Sequence, residues 1–89
     1  MRRSTLTERD FVEPHLLVGF EGGAVYTAER EDKFYIIQDE STMAGLLSEE
    51  DLEGMRDDLV KVLEFDTLPE REAYIGERGW RENQRRRRS

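Results

Sequence analysis

The sequence contains no cysteine and only one histidine, His15, among its 89 residues. Without cysteine the chain cannot form disulfides or thiolate metal sites, and it has no thiol nucleophile. A lone histidine beside Pro14 is typical of a strand edge rather than of a catalytic site. A chain this small also leaves little room for a substrate cleft. We therefore expect no enzymatic activity, no cofactor and no metal site.

Long hydrophobic runs are also missing from the sequence. No apolar stretch approaches the roughly 18 residues that a membrane span requires. The two arginines near the N-terminus are not followed by the apolar segment of a signal peptide. We expect a soluble, cytoplasmic protein that does not bind membranes. Its length predicts one small domain with a thin core, which an oligomer or a bound partner could extend.

Charge is present in abundance but is unevenly distributed. The chain carries 21 acidic and 14 basic residues, a net charge of −7. Between Asp10 and Glu77 there are 19 acidic and five basic residues, a net charge of −14. We predict a flexible basic N-terminus over residues 1–9, a single domain over 10–80 and a disordered arginine-rich tail over 81–89. The acidic body is expected to repel nucleic acid and to attract cationic surfaces.

Three short segments between His15 and Asp39 are rich in aromatic and β-branched residues and predict β-strands. Gly22 and Gly23 predict a tight first hairpin, because glycine adopts positive φ at no steric cost. The polar stretch EREDK predicts a slightly longer second hairpin. The first and third strands are apolar at consecutive positions, so both faces of this antiparallel meander should need cover.

Two helices are predicted after the meander. Ser48 and Asp51 form a weak capping box, and helical spacing then places five apolar residues on one face. These residues are Leu52, Met55, Leu59, Val62 and Leu63. Thr67 and Glu70 cap a second helix that should end near Arg78. The predicted fold is α+β: a three-stranded antiparallel β-meander followed by one amphipathic helix and a shorter C-terminal helix.

Acidic residues collect on the opposite side of the predicted amphipathic helix and could imitate a DNA backbone to a basic groove. They are Glu50, Glu53, Asp57 and Glu64, with Asp58 beside them. The second hairpin and the end of the third strand add Glu31, Asp32, Asp39 and Glu40. An ordinary solvated helix face is the alternative interpretation. However, like charges three and four residues apart cost helix stability, which favours a functional surface.

These observations favour a non-enzymatic inhibitor or modulator, of the kind that phages and mobile elements encode. It would bind a basic, nucleic-acid-binding protein through a DNA-mimic-like acidic surface. The alternative is an immunity-type or assembly-subunit protein that binds through an apolar sheet face. Such a protein could form a homodimer. Its anchors would be Tyr26, Phe34, Tyr35 and Ile37. Direct nucleic-acid binding is expected only through the four arginines from Arg85 to Arg88.

Overall fold

The computed structural model describes residues 1–20, 22–41, 45, 47–55 and 59–80. The elements are β1 (Arg2–Arg3), β2 (His15–Phe20), β3 (Gly23–Arg30), β4 (Lys33–Asp39), α1 (Glu49–Met55), β5 (Val60–Phe65) and α2 (Leu68–Arg78). A short 3₁₀ turn, Glu8–Asp10, lies between β1 and β2. The strands form one antiparallel sheet in the order β1-β5-β4-β3-β2. The α+β class is confirmed, and the predicted meander is the β2–β3–β4 part of a larger sheet.

The segment Val60–Phe65 is a strand, so the predicted long amphipathic helix is wrong beyond Met55. α1 ends at Met55, and β5 pairs with β4 from Val60 opposite Asp39 to Phe65 opposite Phe34. Valine and phenylalanine in this segment favour extended backbone. Both faces of the sheet are covered, so β5 carries apolar side chains on both faces. Apolar positions in such a strand also match helical spacing, and a short apolar run cannot distinguish the two.

The N-terminal segment, for which a flexible basic arm was predicted, contributes strand β1 at the edge of the sheet. Arg2 pairs with Glu64 and Arg3 with Leu63 in the register of β1 and β5. The Ser4 amide continues this pairing by donating to the Val62 carbonyl at 2.8 Å. Arg2 is held by the carboxylates of Glu64 and Asp66, which are distant in sequence, and composition alone does not show this. Residues 81–89, predicted to be a disordered tail, lie outside the described residues.

The first hairpin needs glycine for two different reasons. Gly22 lies in the turn with a φ of 97°, which confirms the predicted positive φ. Gly23 pairs with Phe20 and already belongs to β3. A Cβ atom at Gly23 would lie far inside van der Waals contact with the Asp39 carbonyl oxygen. Gly23 is therefore required by the close approach of two backbones and not by the turn itself.

The second hairpin is tighter than predicted. Arg30 pairs with Lys33, which leaves only Glu31 and Asp32 in the turn. Their φ angles are 50° and 65°. Positive φ at both central residues defines the hairpin turn that normally carries Asn-Gly. The polar sequence EREDK suggested a longer loop. A two-residue turn with positive φ at both positions usually contains glycine, and this turn contains none.

Each face of the sheet is covered, as the consecutive apolar residues predicted. On one face, Ile75 of α2 packs onto a cluster formed by Leu17, Val18, Val25, Ile36, Leu63 and Phe65. On the other, the N-terminal segment contributes Phe11, whose ring centroid lies 4.8 Å from that of Tyr35. Among the described residues, no helix has the length and hydrophobicity needed to cross a membrane.

α2 has the boundaries that its sequence predicted. The Thr67 hydroxyl accepts a hydrogen bond from the Glu70 amide at 3.3 Å, and Gly79 ends the helix with a left-handed φ of 70°. Arg71 fastens the helix to the sheet. This buried side chain donates to the Ala28 carbonyl at 3.1 Å, and its guanidinium lies 5.4 Å from the Phe34 ring centroid.

Candidate partner-binding surface

The chain between β4 and β5 leaves the sheet and returns to it at the same end. Asp39, the last residue of β4, pairs with Val60, the first residue of β5. The Glu40 amide donates to the Leu59 carbonyl at 2.6 Å. Residues 40–59, which include α1, therefore form an excursion from one end of the sheet. We call the described acidic residues of this range, together with Asp39, the acidic excursion: Asp39, Glu40, Glu49, Glu50, Asp51 and Glu53.

The acidic excursion runs in sequence from Asp39 to Glu53, and the first basic residues after it are Arg56 and Lys61. From Asp39 to Met55 the chain contains no lysine and no arginine. The four acidic side chains of α1 are exposed, whereas Asp39 and Glu40 are half-buried. The structure thus exposes the four carboxylates of α1 to solvent, in a stretch of sequence that has no basic residue before Arg56.

Local hydrogen bonds define where α1 begins. The Ser48 hydroxyl accepts a bond from the Asp51 amide at 3.2 Å and donates to the Asp51 carboxylate at 3.0 Å. This confirms the predicted cap. In a capping box the Asp51 carboxylate would accept from the backbone amide of Ser48, whereas here it accepts from the Ser48 hydroxyl. Acidic residues fill the first turn, where the positive end of the helix dipole stabilises them. Helix capping accounts for Asp51, and the dipole also favours Glu49 and Glu50.

The other end of β4 and β5 carries a network of ion pairs. The Arg2 guanidinium binds the carboxylates of both Glu64 and Asp66, the latter at 2.7 Å. The Lys33 ammonium lies 2.7 Å from the same Asp66 oxygen. The Tyr35 hydroxyl donates to Glu64 at 3.2 Å. This clamp joins strands β1, β4 and β5 and neutralises the acidic groups that it contains.

The pKa values of the clamp residues follow from these contacts. Hydrogen bonds from Arg2, and then from Lys33, hold the pKa of the Asp66 carboxyl well below its usual range. The same bonds, first to Asp66 and then to Glu64, raise the pKa of Arg2. Burial raises the pKa of the Tyr35 hydroxyl, and the negative charge of Glu64 adds to the effect. Each shift favours the protonation state found at neutral pH, so the clamp stabilises the fold.

The predicted acidic row is divided in the structure. Glu50 and Glu53 lie together on α1, but Glu64 lies in β5 and is bound by Arg2. Asp57 and Asp58 lie outside the described residues. Because residues 60–65 form a strand, Glu64 cannot continue a helical row from α1. Its negative charge belongs to the clamp.

The hairpin acids also stand apart from the acidic excursion. Glu31 and Asp32 are exposed at the tip that precedes β4, whereas Asp39 and Glu40 follow its last residue. A strand rises about 3.3 Å per residue, so the length of β4 separates these two pairs by roughly 20 Å. The acidic residues therefore form separate groups at opposite ends of the strand.

The proposed apolar anchors lie in or beside the core. Tyr35 and Ile37 are 4% and 1% exposed, and Tyr26 and Phe34 are half-buried. The apolar residues that cover Tyr35 come from the N-terminal segment, chiefly Phe11. The only sequence signal for this cover is the presence of isolated apolar residues in an otherwise polar segment.

The single histidine and the acidic residues are also candidate ligands for a metal ion. His15 is exposed at the start of β2, an edge strand. No group of three or more histidine, aspartate or glutamate side chains within the described ranges is arranged to hold a metal ion.

One surface groove, of about 280 Å³, lies between the N-terminal segment and β5 and is lined by Leu6, Thr7, Glu8, Arg9, Val60 and Val62. Comparisons with protein-family models, curated proteins and solved structures found no match to this chain.

Proposed function

We propose that this protein is a non-enzymatic binding module whose acidic excursion docks on a basic surface of a partner protein. The observation that carries the proposal is the separation of charge along β4 and β5. At one end, Arg2 and Lys33 neutralise Glu64 and Asp66. At the other end, Asp39 pairs with Val60, and residues 39–55 contain six acidic residues and no lysine or arginine before Arg56. The exposed carboxylates of α1 are the part of this surface that a partner can reach.

The physical basis of binding would be electrostatic steering and complementarity. A segment with one sign of charge creates a local potential that accelerates encounter with a surface of opposite sign. Glu50 and Glu53 lie three residues apart in α1, so they face nearly the same direction about 4.5 Å apart along the helix axis. Such a surface fits a groove lined by arginine and lysine.

A nucleic-acid-binding protein is the partner class that this chemistry suits best. Such proteins hold phosphate groups with arginine, lysine and backbone amides. An exposed row of carboxylates presents the same sign of charge to these groups, and it would compete with nucleic acid for them. We infer that the protein acts as an inhibitor or modulator by occupying such a groove.

The experiment compares two variants that carry the same change of net charge. Glu50→Lys with Glu53→Lys reverses two charges on the acidic excursion. Glu31→Lys with Asp32→Lys reverses two at the opposite end of β4. Each protein is used to capture partners at low ionic strength, and the captured protein is purified and mixed with labelled nucleic acid. The proposal requires that wild type and the hairpin variant displace the nucleic acid and that the excursion variant does not.

A second candidate is an assembly or immunity-type protein that binds through the free edge of the sheet. β2 is an edge strand of six residues that contains no aspartate, glutamate, lysine or arginine. Leu16 within it is 59% exposed. Edge strands of native proteins usually carry charges that prevent pairing with another chain. Antiparallel pairing of β2 with β2 of a second copy would give a homodimer, and Leu16→Lys would then produce a monomer in sedimentation experiments.

A further inference from the structure

A second surface groove, of about 300 Å³, lies beside α2. It is lined by Met1, Phe65, Glu70, Ala73, Tyr74 and Glu77. The four residues from α2 recur at helical spacing, so they form one stripe of the helix surface. Within the described residues, neither Glu70 nor Glu77 takes part in an ion pair. The α2 groove therefore combines an apolar floor with two carboxylates.

Aromatic rings continue from the α2 groove toward the end of the helix. The Tyr74 ring centroid lies 5.5 Å from that of Phe65 and 5.9 Å from that of Trp80. The Arg78 guanidinium lies 4.6 Å from the Tyr74 centroid and donates to the Tyr74 hydroxyl at 2.7 Å. This surface thus already holds one guanidinium group. Aromatic faces beside carboxylates are suited to arginine, because its planar cation stacks on rings and forms directed hydrogen bonds.

α2 ends beside the aromatic rings of the α2 groove. Gly79 ends α2 with a left-handed φ of 70°, and the following residue, Trp80, packs back against Tyr74. The sequence continues beyond Trp80 with four consecutive arginines at positions 85–88. The five residues from Trp80 to Arg85 span at most about 17 Å when extended, and Glu70 lies about 12 Å along the helix axis from Arg78, the last residue of α2. The arginines are therefore close enough in sequence to reach both carboxylates.

We propose that the segment 85–88 docks within its own chain in the α2 groove, where its guanidinium groups pair with Glu70 and Glu77. Charge complementarity selects this occupant, because the segment is the densest run of positive charge in the sequence. The proposal stands independently of the proposed function, since it concerns a different surface and an intramolecular contact.

Paramagnetic relaxation tests this docking directly. The chain has no cysteine, so Ser89→Cys provides a single attachment point for a nitroxide label next to the arginines. At low salt, the amide signals of Glu70, Ala73 and Glu77 should lose most of their intensity. The signals should recover near 1 M salt, where the Debye length is only about 3 Å.

Matched variants separate docking from general attraction to an acidic protein. Glu70→Gln with Glu77→Gln removes two charges from the α2 groove, and both side chains are exposed, so the core is unaffected. Glu31→Gln with Asp32→Asn removes two charges from the hairpin tip. Docking requires that the first pair abolish the broadening and that the second pair preserve it. A mixture of labelled chains and unlabelled ¹⁵N chains should show no broadening.

Four outcomes would overturn the proposal. The broadening could centre on Glu49 to Glu53, which would place the arginines on the acidic excursion. It could be absent at low salt, or persist unchanged in the groove variant. It could also appear in the mixed sample, which would make the contact one between two copies of the chain. None of these results depends on whether a protein partner is found.

Discussion

Replacing Ile75 by alanine should destabilise the protein by about 3 kcal/mol. Ile75 is fully buried and is the residue through which α2 enters the apolar cluster of the sheet. Removing three carbon atoms loses about 2.4 kcal/mol of transfer free energy, at about 0.8 kcal/mol for each. An unfilled space of about 40 Å³ adds about 1 kcal/mol. The higher helix propensity of alanine returns roughly half a kcal/mol.

Urea denaturation followed by circular dichroism measures this loss, with Leu68→Ala as the matched control. Leu68 belongs to the same helix but is 41% exposed, so its replacement should cost about 1 kcal/mol or less. For a domain of this size, 3 kcal/mol corresponds to a fall in Tm of about 15 °C. A loss below about 1 kcal/mol for Ile75→Ala, or equal losses for the two variants, would refute the packing of α2 on this face.

Two further predictions concern the hairpin turn and the clamp. Replacing Glu31 by asparagine and Asp32 by glycine should stabilise the protein by about 1 kcal/mol, because both positions have positive φ; a lower urea midpoint would contradict this. The pKa of Asp66 is lower in the folded protein than in the unfolded chain. Its contribution to stability is therefore complete above about pH 4 and is lost progressively as the pH falls further. The Asp66→Asn variant should show a weaker acid dependence of its urea midpoint, and an unchanged dependence would exclude the clamp as a source of stability.

The sequence was sufficient to predict the elements that local signals define. β2, β3 and β4 are rich in β-branched and aromatic residues, which favour extended backbone. α2 is bounded by Thr67 at its start and Gly79 at its end, and both act as the capping rules require. In these elements, local preference and tertiary packing favour the same conformation.

The sequence was not sufficient where distant partners decide the conformation. Val62 and Leu63 fit a helix that begins at Ser48, yet they face opposite sides of the sheet because β5 is buried on both faces. β1 is defined by the pairing of Arg2 with Glu64, 62 positions away. Neither interaction has a local signature. Two residue types in the sequence argued against a long helix: Gly54, because glycine has a low helix propensity, and the valines of β5, because valine favours strands.

For the candidate surface too, the sequence was sufficient to identify some acidic residues but not to show which of them form ion pairs. Glu50, Glu53, Asp39 and Glu40 could be identified from the sequence as clustered acidic residues, and all but Asp39 belong to the connection that leaves and rejoins one end of β4 and β5. Glu64 was assigned to the same row only because its segment was taken as helical. Which carboxylates are neutralised depends on ion pairs across the sheet, and these cannot be inferred from spacing along the chain.

The proposed binding of a basic partner by the acidic excursion depends on electrostatic attraction. Its most direct test is the affinity for the purified captured partner, measured by titration calorimetry at about 0.05 M and about 0.5 M salt. We predict that wild-type affinity falls at least about tenfold at the higher salt and that Glu50→Lys with Glu53→Lys lowers it comparably at the lower salt. The hairpin variant, Glu31→Lys with Asp32→Lys, should retain most of the wild-type affinity. Affinity that is independent of salt, or equally weakened by both pairs of substitutions, would contradict the claim.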